Sequence, residues 1–102
     1  MWRSDVPGRP SVPFIRSERF RRAYRQLDRR TCDLVQKALA QFLADRTHPG
    51  LGVKRIQGTE GIWDMRAGPH IRITFEFQDH GEGIRVLVLR NVGHHDPTLK
   101  NP

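Results

Sequence analysis

Apolar residues recur along this chain with two different spacings, and the change between them separates a helical part from a stranded part. Residues 1–11, which include Pro7, Gly8, Pro10 and Ser11, show no spacing at all and are expected to form a flexible lead-in. Val12 to Arg16 (VPFIR) predicts a short strand, which Pro13 confines to a sheet edge or to the strand's start. Ser17 is a good N-cap. Phe20, Ala23, Tyr24 and Leu27 then fall at i, i+3, i+4 and i+7, one face of a helix. The other face carries Arg19, Arg21, Arg22 and Arg25, with Arg29 and Arg30 just beyond. Thr31 offers a cap for a second helix, with Asp33 in its first turn where the helix dipole favours an anion. Val35, Ala38, Leu39, Phe42 and Leu43 form its apolar stripe, and Thr47, Pro49 and Gly50 end it. Two helices so close together predict a helical hairpin.

After Leu51 the spacing shortens to two. Ile62 to Ala67 alternates, Gly68-Pro69 supplies a turn, and His70 to Phe77 places Ile71, Ile73, Phe75 and Phe77 on one face. Asp79 to Gly83 is a second turn. Ile84 to Val92 is apolar on both sides, which predicts a central strand covered on both faces. Gly93 to Pro102 has no regular pattern. The predicted order is β-α-α-β-β-β: one α+β domain over residues 12–102, its N-terminal helical hairpin packed on one face of an antiparallel sheet.

Composition narrows what such a domain can do. A length of 102 residues suits one domain, and 36% hydrophobic residues with a mean hydropathy of −0.65 suit one thin core. No apolar run approaches the roughly 18 residues of a membrane span, and Met1 to Pro13 lacks the apolar region of a secretory signal. Cys32 stands alone, which excludes an internal disulfide and a multi-cysteine metal site. It reads as a small apolar residue in a reducing cytoplasm. The net charge is +7, carried by fifteen arginines and three lysines. Guanidinium groups match phosphate in a two-pronged way that ammonium groups do not, so the bias points toward nucleic acid.

Strand alternation says where those cations go. If Ile71, Ile73, Phe75 and Phe77 face the helices, Arg72 and Thr74 face away, and Asp64 and Arg66 share a face opposite Trp63 and Met65. Lys54 and Arg55 precede the sheet; Arg90, His94, His95 and Asp96 follow its last strand. Cations gathered on one surface repel by about 1 kcal/mol per close pair, and an anionic partner would relieve this.

The run VKRIQG…GIWDMRAGPHIRITFEF…IRVLVLRNVGHHD resembles the RelE/ParE toxins of bacterial toxin–antitoxin pairs over roughly residues 12–99. The resemblance lies in a basic residue shortly before a glycine (Lys54, Gly58) and in the spacing Trp63-x-x-Arg66. It continues with Gly68 followed by Arg72, Ile73 and Phe75, an apolar strand, and the ending Gly93-x-His95 found in YafQ-like members. What it implies is a toxin neutralised by a cognate antitoxin. Most RelE-like members cleave mRNA on the ribosome without a metal or other cofactor; ParE-like members poison DNA gyrase. Operator DNA would be a partner only of the toxin–antitoxin complex, and no membrane is involved.

On this resemblance the expected catalytic set is His95, Arg66, Arg72, Arg90 and Lys54, with Arg55, His94 and Asp96 binding substrate. A histidine suits proton transfer near neutral pH, and preorganised arginines suit the charge of a phosphorane-like transition state. Plainer roles stand beside these. His94 and His95 could simply hydrogen-bond the strand end, and Trp63 and Phe75 could be core. Arg66 and Arg72 could be ion-pair partners of Asp64 or Glu76. A metal held by His70, His94, His95 and Asp96 is a weak pattern. The aromatic residue that many nuclease members carry after this histidine is replaced here by Pro97, Thr98 and Leu99. That departure leaves room for a gyrase inhibitor, or for a non-catalytic domain that binds nucleic acid or a partner.

Overall fold

Ser17 opens the helical half as expected: its side chain accepts from the Phe20 amide at 3.0 Å and starts α1 (Glu18–Arg25). The computed structural model describes residues 14–102, so the lead-in expected over residues 1–11, and Val12 and Pro13, lie outside the described residues. The first strand, β1, is Phe14–Arg16. The second helix, α2 (Arg29–Ala44), begins three residues earlier than Thr31 suggested. Asp28 is its N-cap, and the Thr31 amide donates to the Asp28 carboxylate at 2.8 Å. A carboxylate is both acceptor and counter-charge to the helix dipole, so it outcompetes the threonine hydroxyl.

A single 3₁₀ turn at Pro49–Leu51 leads into β2 (Lys54–Arg55), β3 (Ile62–Arg66), β4 (Ile71–Asp79) and β5 (Arg85–His94). The sheet order is β1-β5-β4-β3-β2, so β5 is internal, as its two apolar faces predicted. The sheet is mixed rather than wholly antiparallel: β1 pairs parallel with β5, Phe14 opposite Leu87. That partner lies some seventy residues away, beyond the reach of any local pattern.

Phe20, Val35, Leu39 and Phe42 bury themselves against Met65, Ile73, Phe75, Leu87 and Leu89, and these residues form the core. Val92 joins it three residues after Leu89, which breaks the period of two. A bulge makes up the difference: Thr74 pairs with Asn91 but Phe75 pairs with Leu89, leaving Arg90 as the extra residue.

The tail is ordered, not irregular. A short helix, α3 (His95–Lys100), follows β5 and packs on the sheet face away from the hairpin. Pro97 lies in its first turn, where a missing N–H costs nothing. Thr98 is buried, and its Oγ1 would stand 2.9 Å from a Cβ placed on Gly93. Gly93→Ala should therefore push α3 off the sheet and cost about 1–3 kcal/mol. Urea unfolding with an unchanged midpoint would show that α3 is not seated as described.

Candidate nucleic-acid interface

Because Met65 and Ile73 point into the core, Asp64, Arg66, Arg72 and Thr74 stand on the other face. The register sets Lys54 opposite Asp64, Asp64 opposite Thr74, and Arg66 opposite Arg72. The sheet thus brings together most of the cations expected there, but it does not leave them all free. Arg72 is only 9% exposed; its Nε lies 3.8 Å from Asp64 Oδ1 and its Nη1 donates to the Ile71 carbonyl at 3.1 Å. Arg90, turned by the bulge, donates from Nη1 to Glu76 Oε2 at 3.0 Å and from Nε to the Pro102 main-chain oxygen at 3.2 Å. The plainer ion-pair role therefore describes Arg72, and a like role, with Glu76, describes Arg90.

The exposed cations of this face are Lys54 on the edge strand and Arg66 at the end of β3; Arg55, opposite Trp63, is exposed at the sheet edge but starts from the other face. Arg66 lies over Gly52, where a Cβ would come within 3.2 Å of its Nη2. Gly52 also has φ +53, so only glycine suits the position on both counts.

Asp64 sits beneath these groups, 1% exposed, with an Oδ1 that has no hydrogen-bond partner among the described residues. Burial pushes its carboxyl pKa up, against the pull of Lys54, Arg72, His95 and Arg66. The sequence marked Asp64 only as a possible ion-pair partner. Its parity, outward on β3 and opposite a lysine, was the signal that it shares the face with the cations.

At the other end of the face, His95 is the first residue of α3, and its amide donates to the His70 carbonyl at 2.8 Å. The ring's Nδ1–H donates to Asp96 Oδ1 at 2.7 Å, and this bond holds the Asp96 carboxyl below its usual range. A proton fixed on Nδ1 leaves Nε2 as the nitrogen for acid–base exchange. Both histidines line a shallow groove of about 340 Å³ with Pro69, His70, Asp96 and Pro97. Their surroundings differ. The charge of His95 acts on Asp64, whereas that of His94 acts on Asp28 at the start of α2. His94 is thus set apart from the cationic cluster. No group of three or more His, Cys, Asp or Glu among the described residues is arranged to hold a metal ion.

Sequence reasoning missed two further features. The tail is tied across the polar face: Thr74 donates to the Pro102 main-chain oxygen at 3.0 Å, Asn91 to the Asn101 carbonyl at 2.9 Å, and Arg19 to that same carbonyl. On the helix side, Phe42, Arg46, Trp63, Phe77 and Arg85 line a larger hollow of about 620 Å³. Trp63 is half-buried there, edge-on to Phe77 with ring centres 6.3 Å apart, at the margin of the core rather than inside it.

No protein-family model and no curated protein sequence matches the chain. Solved structures do. YafQ from E. coli strain BL21(DE3) superposes with a TM-score of 0.63 at 17% identity, covering 86% of this chain and 98% of that one. The toxin–antitoxin complex RelBE of E. coli gives 0.62 at 16% identity, covering 84% and 99%. The YoeB/ParE toxin from Agrobacterium tumefaciens gives 0.61 at 13% identity, covering 82% and 99%. In all three the known chain is matched almost end to end. The chain has the fold of the RelE, YoeB and YafQ toxins.

Proposed function

We propose that this chain is the toxin of a toxin–antitoxin pair and that it stops translation by cleaving mRNA on the ribosome. The observation that carries this reading is the pairing of His95, half-exposed and oriented by Asp96, with the exposed Lys54 and Arg66 on one polar face of this fold. In the reaction the 2′-oxygen attacks the adjacent phosphorus and the bond to the 5′-oxygen breaks, leaving a cyclic phosphate and a free 5′-hydroxyl. One proton must leave the 2′-hydroxyl and one must reach the departing oxygen. His95 Nε2 performs one of these transfers. Lys54 and Arg66 stabilise the charge gathering on the phosphate, and Arg55 holds the strand beside it. Arg72 and Arg90, bound internally, contribute positive potential from within the sheet rather than direct contacts. His94 lines the approach to His95. No metal or other cofactor takes part.

The partners in this reading are a cognate antitoxin, the ribosome and mRNA in the cytoplasm, with operator DNA met only by the toxin–antitoxin complex. The RelBE complex of E. coli is an example of such a pair on this fold. A gyrase-binding surface of the ParE kind has no use for a proton donor, which is why His95 favours the nuclease.

Induction of the chain should halt growth, with protein synthesis falling before DNA synthesis in pulse labelling. The reverse order would overturn the nuclease in favour of gyrase. Arg66→Ala should weaken binding to single-stranded RNA at any sequence and lower the slope of log affinity against log salt by about 0.7. An unchanged slope in a salt titration would remove Arg66 from the phosphate contacts.

A further inference from the structure

A cleft of about 340 Å³, lined by Lys54, Arg55, Ile56, Gln57, Asp64 and Leu99, opens beside the cationic cluster. Phosphate binding alone does not account for its composition. Lys54 and Arg55 are exposed and suit an anion, but Asp64 repels one. Asp64 is only loosely engaged as the counter-ion of Arg72. Its buried Oδ1 has no hydrogen-bond partner among the described residues, and Arg72 Nε, its ion-pair partner, stands at 3.8 Å, beyond hydrogen-bond length. Burial drives its carboxyl pKa up, against the pull of Lys54 and Arg72. A buried acceptor left unmade costs free energy until something donates to it.

A ligand that satisfies both ends must carry a phosphate and, a few ångströms away, a hydrogen-bond donor. A nucleotide with an amine-bearing base does so, and its flat apolar ring suits the Ile56 and Leu99 side chains. Uracil fits poorly because its only edge donor lies between two carbonyl oxygens that would face the carboxylate. We propose that this cleft is a nucleobase subsite in which Asp64 accepts a hydrogen bond from the exocyclic amine of guanine, adenine or cytosine while Lys54, with Arg55 beside it at the sheet edge, holds the attached phosphate. This rests on the reading of the face as an RNA interface and adds to it a source of base preference.

The test uses the full chain and fluorescein-labelled RNA hexamers of the form UUXUUU, read by fluorescence anisotropy without ribosomes. With X as guanosine, adenosine or cytidine, at least one hexamer should bind roughly tenfold tighter than UUUUUU. Inosine and nebularine, which are guanosine and adenosine without their amines, should fall back to the uridine level. Asp64→Asn should erase the preference while leaving affinity for UUUUUU equal or higher, since a charge opposed to phosphate has gone. Should that variant fail to fold by circular dichroism, the inosine and nebularine comparison decides on the unaltered protein. Equal binding of all hexamers, or a preference indifferent to the amine, overturns the subsite. Failure of the toxin reading looks different: base preference would persist in binding while induced cells keep synthesising protein. Arrest of protein synthesis with equal hexamer binding would sink the subsite and leave the toxin standing.

Discussion

His95→Ala is expected to lower the rate of mRNA cleavage by a factor of about 10²–10⁴, the range over which a positioned proton-transfer group acts. The same substitution should abolish growth arrest on induction. The imidazole is a half-exposed side chain at the start of a short helix, bonded among the described residues only to the carboxylate of its exposed neighbour Asp96. Its removal takes nothing from the core, so the folded protein should persist with an unchanged unfolding midpoint. That combination, full stability with lost activity, separates chemistry from structure. Asp96→Asn tests the same assignment more gently, because an amide can still hold the ring but not favour its positive charge. If the alanine variant cleaves mRNA at the parent rate, His95 is a strand-end residue and proton transfer lies elsewhere.

The largest expected loss of stability belongs to Phe75→Ala. Phe75 is 0% exposed, at the centre of the sheet's helix-facing side. Its ring meets Phe42 edge-on at 5.3 Å between centres and Phe77 at 5.8 Å, so it joins the second helix to the sheet. Truncation leaves a cavity whose walls belong to three elements and cannot all collapse together. A cost of about 3–5 kcal/mol is expected, a large share of the 5–15 kcal/mol typical of a whole domain. In thermal unfolding this appears as a fall of roughly 4–8 °C per kcal/mol. A fall of only a few degrees would mean that the helix–sheet junction is held by something other than this ring. Activity, read below the new midpoint, should remain, since Phe75 faces away from the cations.

How far the sequence foretold this can be followed residue by residue. Ser17, the Phe20 helix face, the Val35–Phe42 stripe and the strict alternation of Ile71, Ile73 and Phe75 are local signals, and the structure matches each. What escaped is non-local. The parallel pairing of Phe14 with Leu87 depends on two distant segments meeting. The bulge at Arg90 shows in sequence only as Leu89 and Val92 standing three apart, a spacing that a doubly apolar strand conceals. The six-residue α3 is too short to display a helical period. For the candidate site, alternation put Arg66, Arg72 and Asp64 on one face, but not who pairs with whom. Whether a guanidinium is free or bound depends on carboxylates such as Glu76 and on tail atoms such as the Pro102 oxygen, and neither leaves a mark in the local pattern.

Among the described residues the two outer strands of the sheet are three and two residues long, and the shorter one is Lys54-Arg55. An unpaired strand margin invites a second chain to add itself there and start an aggregate. Here that margin is so brief, and so crowded with positive charge on the β2 side, that another copy gains few backbone bonds and meets repulsion. The residues proposed to grip RNA therefore also keep individual molecules apart, so that neutralising them to weaken RNA binding would at the same time make the protein stickier toward itself.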